Sequence, residues 1–103
     1  MDIKRVKEFG KRAYHPLVVL FYAPNEIEQS RVAVVASKKV GNAVIRNRAK
    51  RRLRAPLDLL WQHIQGKNDL IFFSRREIVD VSYDEVFSAI MHLLQEAGVL
   101  LGD

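Results

Sequence analysis

The sequence contains no cysteine, which excludes a disulfide scaffold, a Cys-ligated zinc site and a thiol nucleophile together. Proline and glycine are scarce, at three and five in 103 residues. No Pro/Gly/Ser-rich linker, internal repeat or low-complexity tract divides the chain, so a single domain over residues 1–103 is expected. No apolar run reaches the roughly 18–20 residues that span a bilayer. Met1-Asp2-Ile3-Lys4-Arg5 opens without an apolar signal segment, so a cytoplasmic location with no membrane partner is expected. The most telling absence is local: no Asp or Glu occurs between Arg31 and Arg54.

That acid-free stretch holds nine cations: Arg31, Lys38, Lys39, Arg46, Arg48, Lys50, Arg51, Arg52 and Arg54. Elsewhere eight basic residues face all twelve acids. The net charge of +5 is therefore a strongly cationic segment set in a mildly acidic body. Such asymmetry points to a polyanionic partner, nucleic acid before an anionic membrane.

Periodicity orders the elements. Ile3, Val6 and Phe9 recur every three residues, the pattern of a short helix over 2–9 ending at Gly10, with Phe9 read as a core residue. Leu17-Val18-Val19-Leu20-Phe21-Tyr22, between Pro16 and Pro24, reads as a buried strand, and 31–37 as a second joined to it in a hairpin. Lys11–Tyr14 adds a brief strand. Asn42 is placed to cap a helix whose apolar face is Ile45, Ala49, Leu53, Leu57, Leu60 and Ile64, kinked or restarted near residue 55 by Pro56 and ended by Gly66. Asp69–Arg75 reads as a central strand with Phe72 and Phe73 in the core, as Val44 and Ile45 are. Val81–Ala97 reads as a last helix capped by Ser82. This order predicts an α+β two-layer sandwich, helices stacked on a small mixed sheet.

Within the basic helix, Arg46, Lys50 and Arg54 share one face, Asn47 and Arg51 flank it, and Arg48 with Arg52 form a neighbouring row. Stacked like charges repel in isolation and become favourable against phosphates, where each cation releases a counterion. The guanidinium fork suits phosphate, and Asn47 can address ribose hydroxyls or base edges. The bland readings are a solvated basic face or a targeting tract, and a targeting tract does not need Ile45, Ala49 and Leu53 in helical register.

The stretch Ser37–Arg54, with Lys38-Lys39-Val40-Gly41-Asn42-Ala43 leading to Arg46-Asn47-Arg48, resembles the signature of the protein subunit of bacterial ribonuclease P. The resemblance extends from Asp2–Gly10 through Arg31-Val32 to Asp69–Arg75 and Ser82-Tyr83. It implies an α-β-β-β-α-β-α sandwich with a left-handed β-α-β crossover, a fold shared with the second domain of a ribosomal protein. It implies an accessory subunit of an endoribonuclease whose large RNA subunit, with bound Mg²⁺, removes the 5′ leader of precursor tRNA. The RNA-subunit contacts then fall on Arg46, Asn47, Arg48, Lys50, Arg51 and Arg52. The leader contacts fall on Phe21, Val35, Ser37, Lys39, Asn47 and Arg54. The protein alone is expected to be a monomer.

The first helix departs from the family pattern, because two positions that usually carry aromatic residues are Ile3 and Lys7 here. An intrinsic nuclease would need a carboxylate cluster or a paired His acid and base. The acids are scattered, and His15, His63 and His92 fall in unrelated elements. A structural RNA-binding protein of ribosomal type is the alternative reading. A helix-turn-helix DNA binder is disfavoured because strands flank the basic helix.

Overall fold

In the computed structural model, residues 2–100 are described; Met1 and residues 101–103, the ends of the expected domain, lie outside them. The elements are α1 (Ile3–Phe9), β1 (Lys11–Tyr14), β2 (Val18–Pro24), β3 (Arg31–Val35), α2 (Ala43–Leu60), β4 (Asn68–Ser74) and α3 (Tyr83–Ala97). Short 3-10 turns at Trp61–His63 and Arg76–Asp80 follow α2 and β4. The α-β-β-β-α-β-α order is the one expected.

The sheet runs β1-β2-β4-β3. β1 and β4 are antiparallel to β2, and β3 is parallel to β4. The expected hairpin between the second and third apolar runs does not form, because β4 inserts between β2 and β3. Leu70, Ile71 and Phe72 of β4 are all fully buried. A strand apolar on both faces gains most from the centre, where both sides are covered. The hairpin is instead β1–β2, with Arg12 opposite Phe21.

Strand alternation divides the side chains between two faces. Leu20, Leu70 and Phe72 point toward α2 and α3, where Ala49, Leu53, Leu57, Val86, Ile90, Leu93 and Leu94 complete the main core. Phe21, Ala23, Ala33, Val35, Ile71 and Phe73 point the other way, where Val6 of α1 packs on them. The two long helices thus stack on one face as expected, and the short α1 covers part of the other.

Helix starts follow the sequence signals. Asn42 Oδ1 accepts a hydrogen bond from the Ile45 amide at 3.0 Å, and Ser82 Oγ accepts from the Glu85 amide at 3.2 Å. Each satisfies an amide that the helix itself leaves free. Gly41, just before α2, has φ +154, and a Cβ there would meet Ile45 Cγ2 at 2.9 Å. Glycine is required at this entry for both reasons.

Helix ends were harder to read. α2 continues through Pro56 without a restart near residue 55, since Leu53, Pro56, Leu57 and Leu60 are all buried in its packed face. Tertiary packing on both sides offsets the one hydrogen bond that proline removes. The helix stops at Leu60 rather than Gly66, and Ile64 has left the helix to bridge Leu100.

Two residues read as core are exposed. Phe9 is 79% exposed, because a helix of seven residues buries only Val6. Val44 is 75% exposed, one residue and about 100° away from the buried stripe that Ile45 begins.

Candidate nucleic-acid interface

α2 carries six cations, Arg46, Arg48, Lys50, Arg51, Arg52 and Arg54, against the single acid Asp58. Its buried stripe leaves two flanks. On one, Arg54, Leu57 and Asp58, followed by Trp61, line a groove with Val32, Ala33 and Val34 of β3. By helical spacing Arg46 and Lys50 continue this flank toward the helix start. Arg46 is half-buried, and its Nε has no hydrogen-bond partner. On the other flank, Arg52 Nε donates to the Ile78 carbonyl at 2.8 Å, and its terminal nitrogen donates to the Val81 carbonyl. Arg52 is therefore tied to the turn before α3. Asn47, Arg48 and Arg51 are exposed between the flanks. The six positions expected to meet the RNA subunit thus wrap around the helix rather than sharing one face, and Arg52 spends donors inside the molecule.

The expected leader positions fall in three neighbouring places. Phe21 and Val35 lie together on the sheet face opposite α2 and α3. Asn47 and Arg54 are on α2, the latter in the groove at the β3 edge. Ser37 and Lys39 follow β3, beside Ser74, Arg75, Arg76 and Glu77. The Ser37 carbonyl accepts from the Val40 amide at 3.0 Å, so Ser37 and Lys39 belong to a turn rather than a strand.

Phe73, Lys7 and Arg12 join the sheet-face site; the family pattern sets Lys7 at a leader-facing position usually held by an aromatic residue, while sequence reasoning missed Phe73 and Arg12. The expected place of Phe73 is the core. It is half-buried, and its ring meets that of Phe21 edge-on, 5.1 Å between centroids at 71°. Lys7 Nζ lies 5.0 Å from the Phe73 centroid and 5.9 Å from that of Phe21, and Arg12 Cζ lies 5.1 Å from Phe21. Cations at these distances are attracted by the ring quadrupole. A signal was present for Phe73: adjacent strand residues point to opposite faces, so Phe72 and Phe73 cannot share one core. Arg12 needed the β1–β2 register, and Lys7 needed the placement of α1.

One expected cation belongs elsewhere. Arg31 makes a two-point contact with buried Asp69, Nε to Oδ1 and Nη2 to Oδ2, both 2.9 Å. Arg5 adds a contact at 3.2 Å, and Asn25 Nδ2 donates at 2.9 Å. Burial pushes the Asp69 carboxyl up, but hydrogen bonds from Arg31 and Asn25, with the charges of Arg31 and Arg5, hold it below its usual range. Arg31 therefore locks β3 to β4 and is spent as an outward charge.

The histidines are not wholly separate. The His15 and His92 rings lie 6.3 Å apart, and His92 Nε2 sits 3.4 Å from Glu96. Burial, and then the charge of His92, lower the His15 pKa. Among the described residues, no group of three His, Cys, Asp or Glu gathers to hold a metal ion. No helix among them is long and apolar enough to cross a membrane.

A small α+β domain with a cationic helix and a cation-flanked aromatic sheet face has the character of a nucleic-acid-binding protein. Comparison with known proteins makes the class specific. The ribonuclease P family model matches residues 1–98. A ribonuclease P protein component of Clostridium novyi is 37% identical over 101 residues, covering 96% of this chain and 89% of the relative. One from Herpetosiphon aurantiacus is 36% identical, covering 93% and 78%. The solved Staphylococcus aureus RNase P protein superposes with a TM-score of 0.85 at 30% identity, covering 96% and 91%. The Thermotoga maritima RNase P protein shares the fold, with a TM-score of 0.83 at 23% identity over 92% and 90%. The chain belongs to the ribonuclease P protein family, and with it to tRNA processing as part of a ribonucleoprotein.

Proposed function

We propose that this protein binds the ribonuclease P RNA through the exposed crest of α2 and holds the single-stranded 5′ leader of precursor tRNA against the open sheet face. The observation that carries the reading is the Phe21–Phe73 pair, flanked by Lys7 and Arg12, in a domain whose α2 carries six cations against one acid. Aromatic rings stack on bases without reading them, and neighbouring cations follow the phosphates. Arg46, Arg48 and Arg51 address the RNA subunit, with Asn47 shared between RNA and leader. Val35 floors the leader path, with Ser37 and Lys39 at one end and Arg54 at the other.

In this reading cleavage is carried out by the RNA subunit, in the cytoplasm. The Mg²⁺ that the family resemblance implies is assigned in this reading mainly to the RNA subunit, whose phosphates supply the oxygen ligands that Mg²⁺ takes. The protein's own contribution is to screen repulsion between two polyanions, which tightens precursor binding and lowers the Mg²⁺ needed.

The test is reconstitution with a bacterial ribonuclease P RNA at low Mg²⁺. Precursor tRNA cleavage should be markedly faster with the protein than with RNA alone. Equal rates would refute the proposal.

A further inference from the structure

The groove between the β3 edge and the last turns of α2 holds a set of groups that strand binding does not by itself require. Its volume is about 530 Å³, and Val32 and Val34, with Ala33 between them, line it opposite Arg54, Asp58 and Trp61. Trp61 is the only tryptophan of the chain and is 41% exposed. β3 is an outer strand of the sheet, so its outward backbone groups are free to bond a ligand.

Asp58 is the anomaly. It is the only acid on a helix of six cations, and it lies in the last turn, where a negative charge opposes the helix dipole. The ion pairs among the described residues are Arg5–Asp69, Arg31–Asp69 and His92–Glu96, so Asp58 is not held by Arg54 one turn before it. Neither helix stability nor phosphate binding accounts for a carboxylate here.

Base chemistry does. An ionised carboxylate only accepts hydrogen bonds. Guanine alone among the four RNA bases offers two adjacent donors, N1–H and N2–H, on its Watson–Crick edge, the edge that unpaired bases expose. Adenine and cytosine set an acceptor beside their amino group, and uracil sets acceptors on both sides of its single N–H. We infer that this groove is a guanine-selective subsite for unpaired RNA: Trp61 stacks on the base, Asp58 accepts from its N1–H and N2–H, and Arg54 neutralises its phosphate. The volume suits one nucleotide. The inference rests on the leader-binding reading, and it gives a sequence preference to a site that would otherwise read only backbone and stacking.

Trp61 fluorescence reports on the groove directly. The full chain is titrated with a uridine hexamer and with hexamers carrying one guanosine, adenosine or cytidine at successive positions. The guanosine hexamer should bind about tenfold tighter at its best position, the discrimination typical of a two-point base contact, and should quench Trp61 most. Asp58→Asn, at an exposed position, should keep the fold by circular dichroism, preserve uridine-hexamer affinity and abolish the guanosine preference. Equal affinity for all hexamers, or a preference that survives Asp58→Asn, would overturn the subsite. Salt-dependent binding of every hexamer without a guanosine preference would overturn this inference alone. Failure of all hexamers to bind would overturn it together with the leader reading.

Discussion

Arginine is used in two opposite ways within this small domain. Around Asp69, Arg31 and Arg5 surround a fully buried carboxylate, and their charge is consumed in joining β3 and α1 to β4. Along α2, six cations stand near a single acid, and among the described residues only Arg52 of these is anchored, to backbone carbonyls. The first group stabilises the fold, and the second leaves the isolated protein with charge repulsion that a polyanion relieves. A count of basic residues cannot tell these uses apart, because what matters is whether a partner lies within the chain.

The contrast can be broken most directly at Arg31. Arg31→Ala leaves the Asp69 carboxylate buried with weaker company. It should lower the urea midpoint of unfolding, because a buried carboxylate loses its two-point partner, by less than a fully buried pair would because solvent reaches Arg31. Affinity of the remaining folded protein for the RNA subunit should be unchanged; a clear loss would place Arg31 among the RNA contacts. The reverse result is expected for the Arg46→Ala, Arg48→Ala double variant. Its affinity for ribonuclease P RNA should fall at least about tenfold, with a salt dependence shallower by up to about two counterions. Native-gel titration at several salt concentrations would decide it, and undiminished affinity would remove both residues from the interface.

A smaller effect is expected at the sheet face. Phe21→Ala should weaken binding of leader-bearing precursor by about 1–2 kcal/mol, as loss of one stacking ring does, while mature tRNA binds as before. Equal losses for both ligands, in parallel titrations of folded protein, would exclude Phe21 from the leader path. The smallest effect sharpens the Asp69 side. Its carboxyl titrates lower in the folded chain than its ordinary value of 3.8, so its contribution is present above that value. The contribution is lost as pH falls through the lower folded value. Urea midpoints measured downward from pH 5 should therefore drop less steeply in Asp69→Asn than in the unchanged protein.

Much of the fold was legible because local signals and burial agree. Asn42 and Ser82 are good N-caps beside periodic apolar faces, and the helices begin where they stand. Signals that depend on what packs nearby were misleading. Pro56 reads as a helix breaker until Leu53, Leu57 and Leu60 are seen holding the helix on both sides. Phe9 reads as core until α1 proves too short to bury it. The candidate site divides similarly. The cationic row Arg46, Lys50 and Arg54 follows from helical spacing alone. Phe73, Lys7 and Arg12 come together only because β4 inserts beside β2 and α1 crosses the far face.

The order of elements, the glycine entry to α2 and the acid-free cationic helix were thus determined by sequence, since each rests on contacts within a few residues. Tertiary structure decided which cations remain free, which aromatic rings face outward and which groove holds Asp58 beside Trp61. Those outcomes depend on strand order and on a buried carboxylate 38 residues away from the arginine it neutralises. Contacts that distant are selected by the burial of the whole sheet, and no local pattern encodes them.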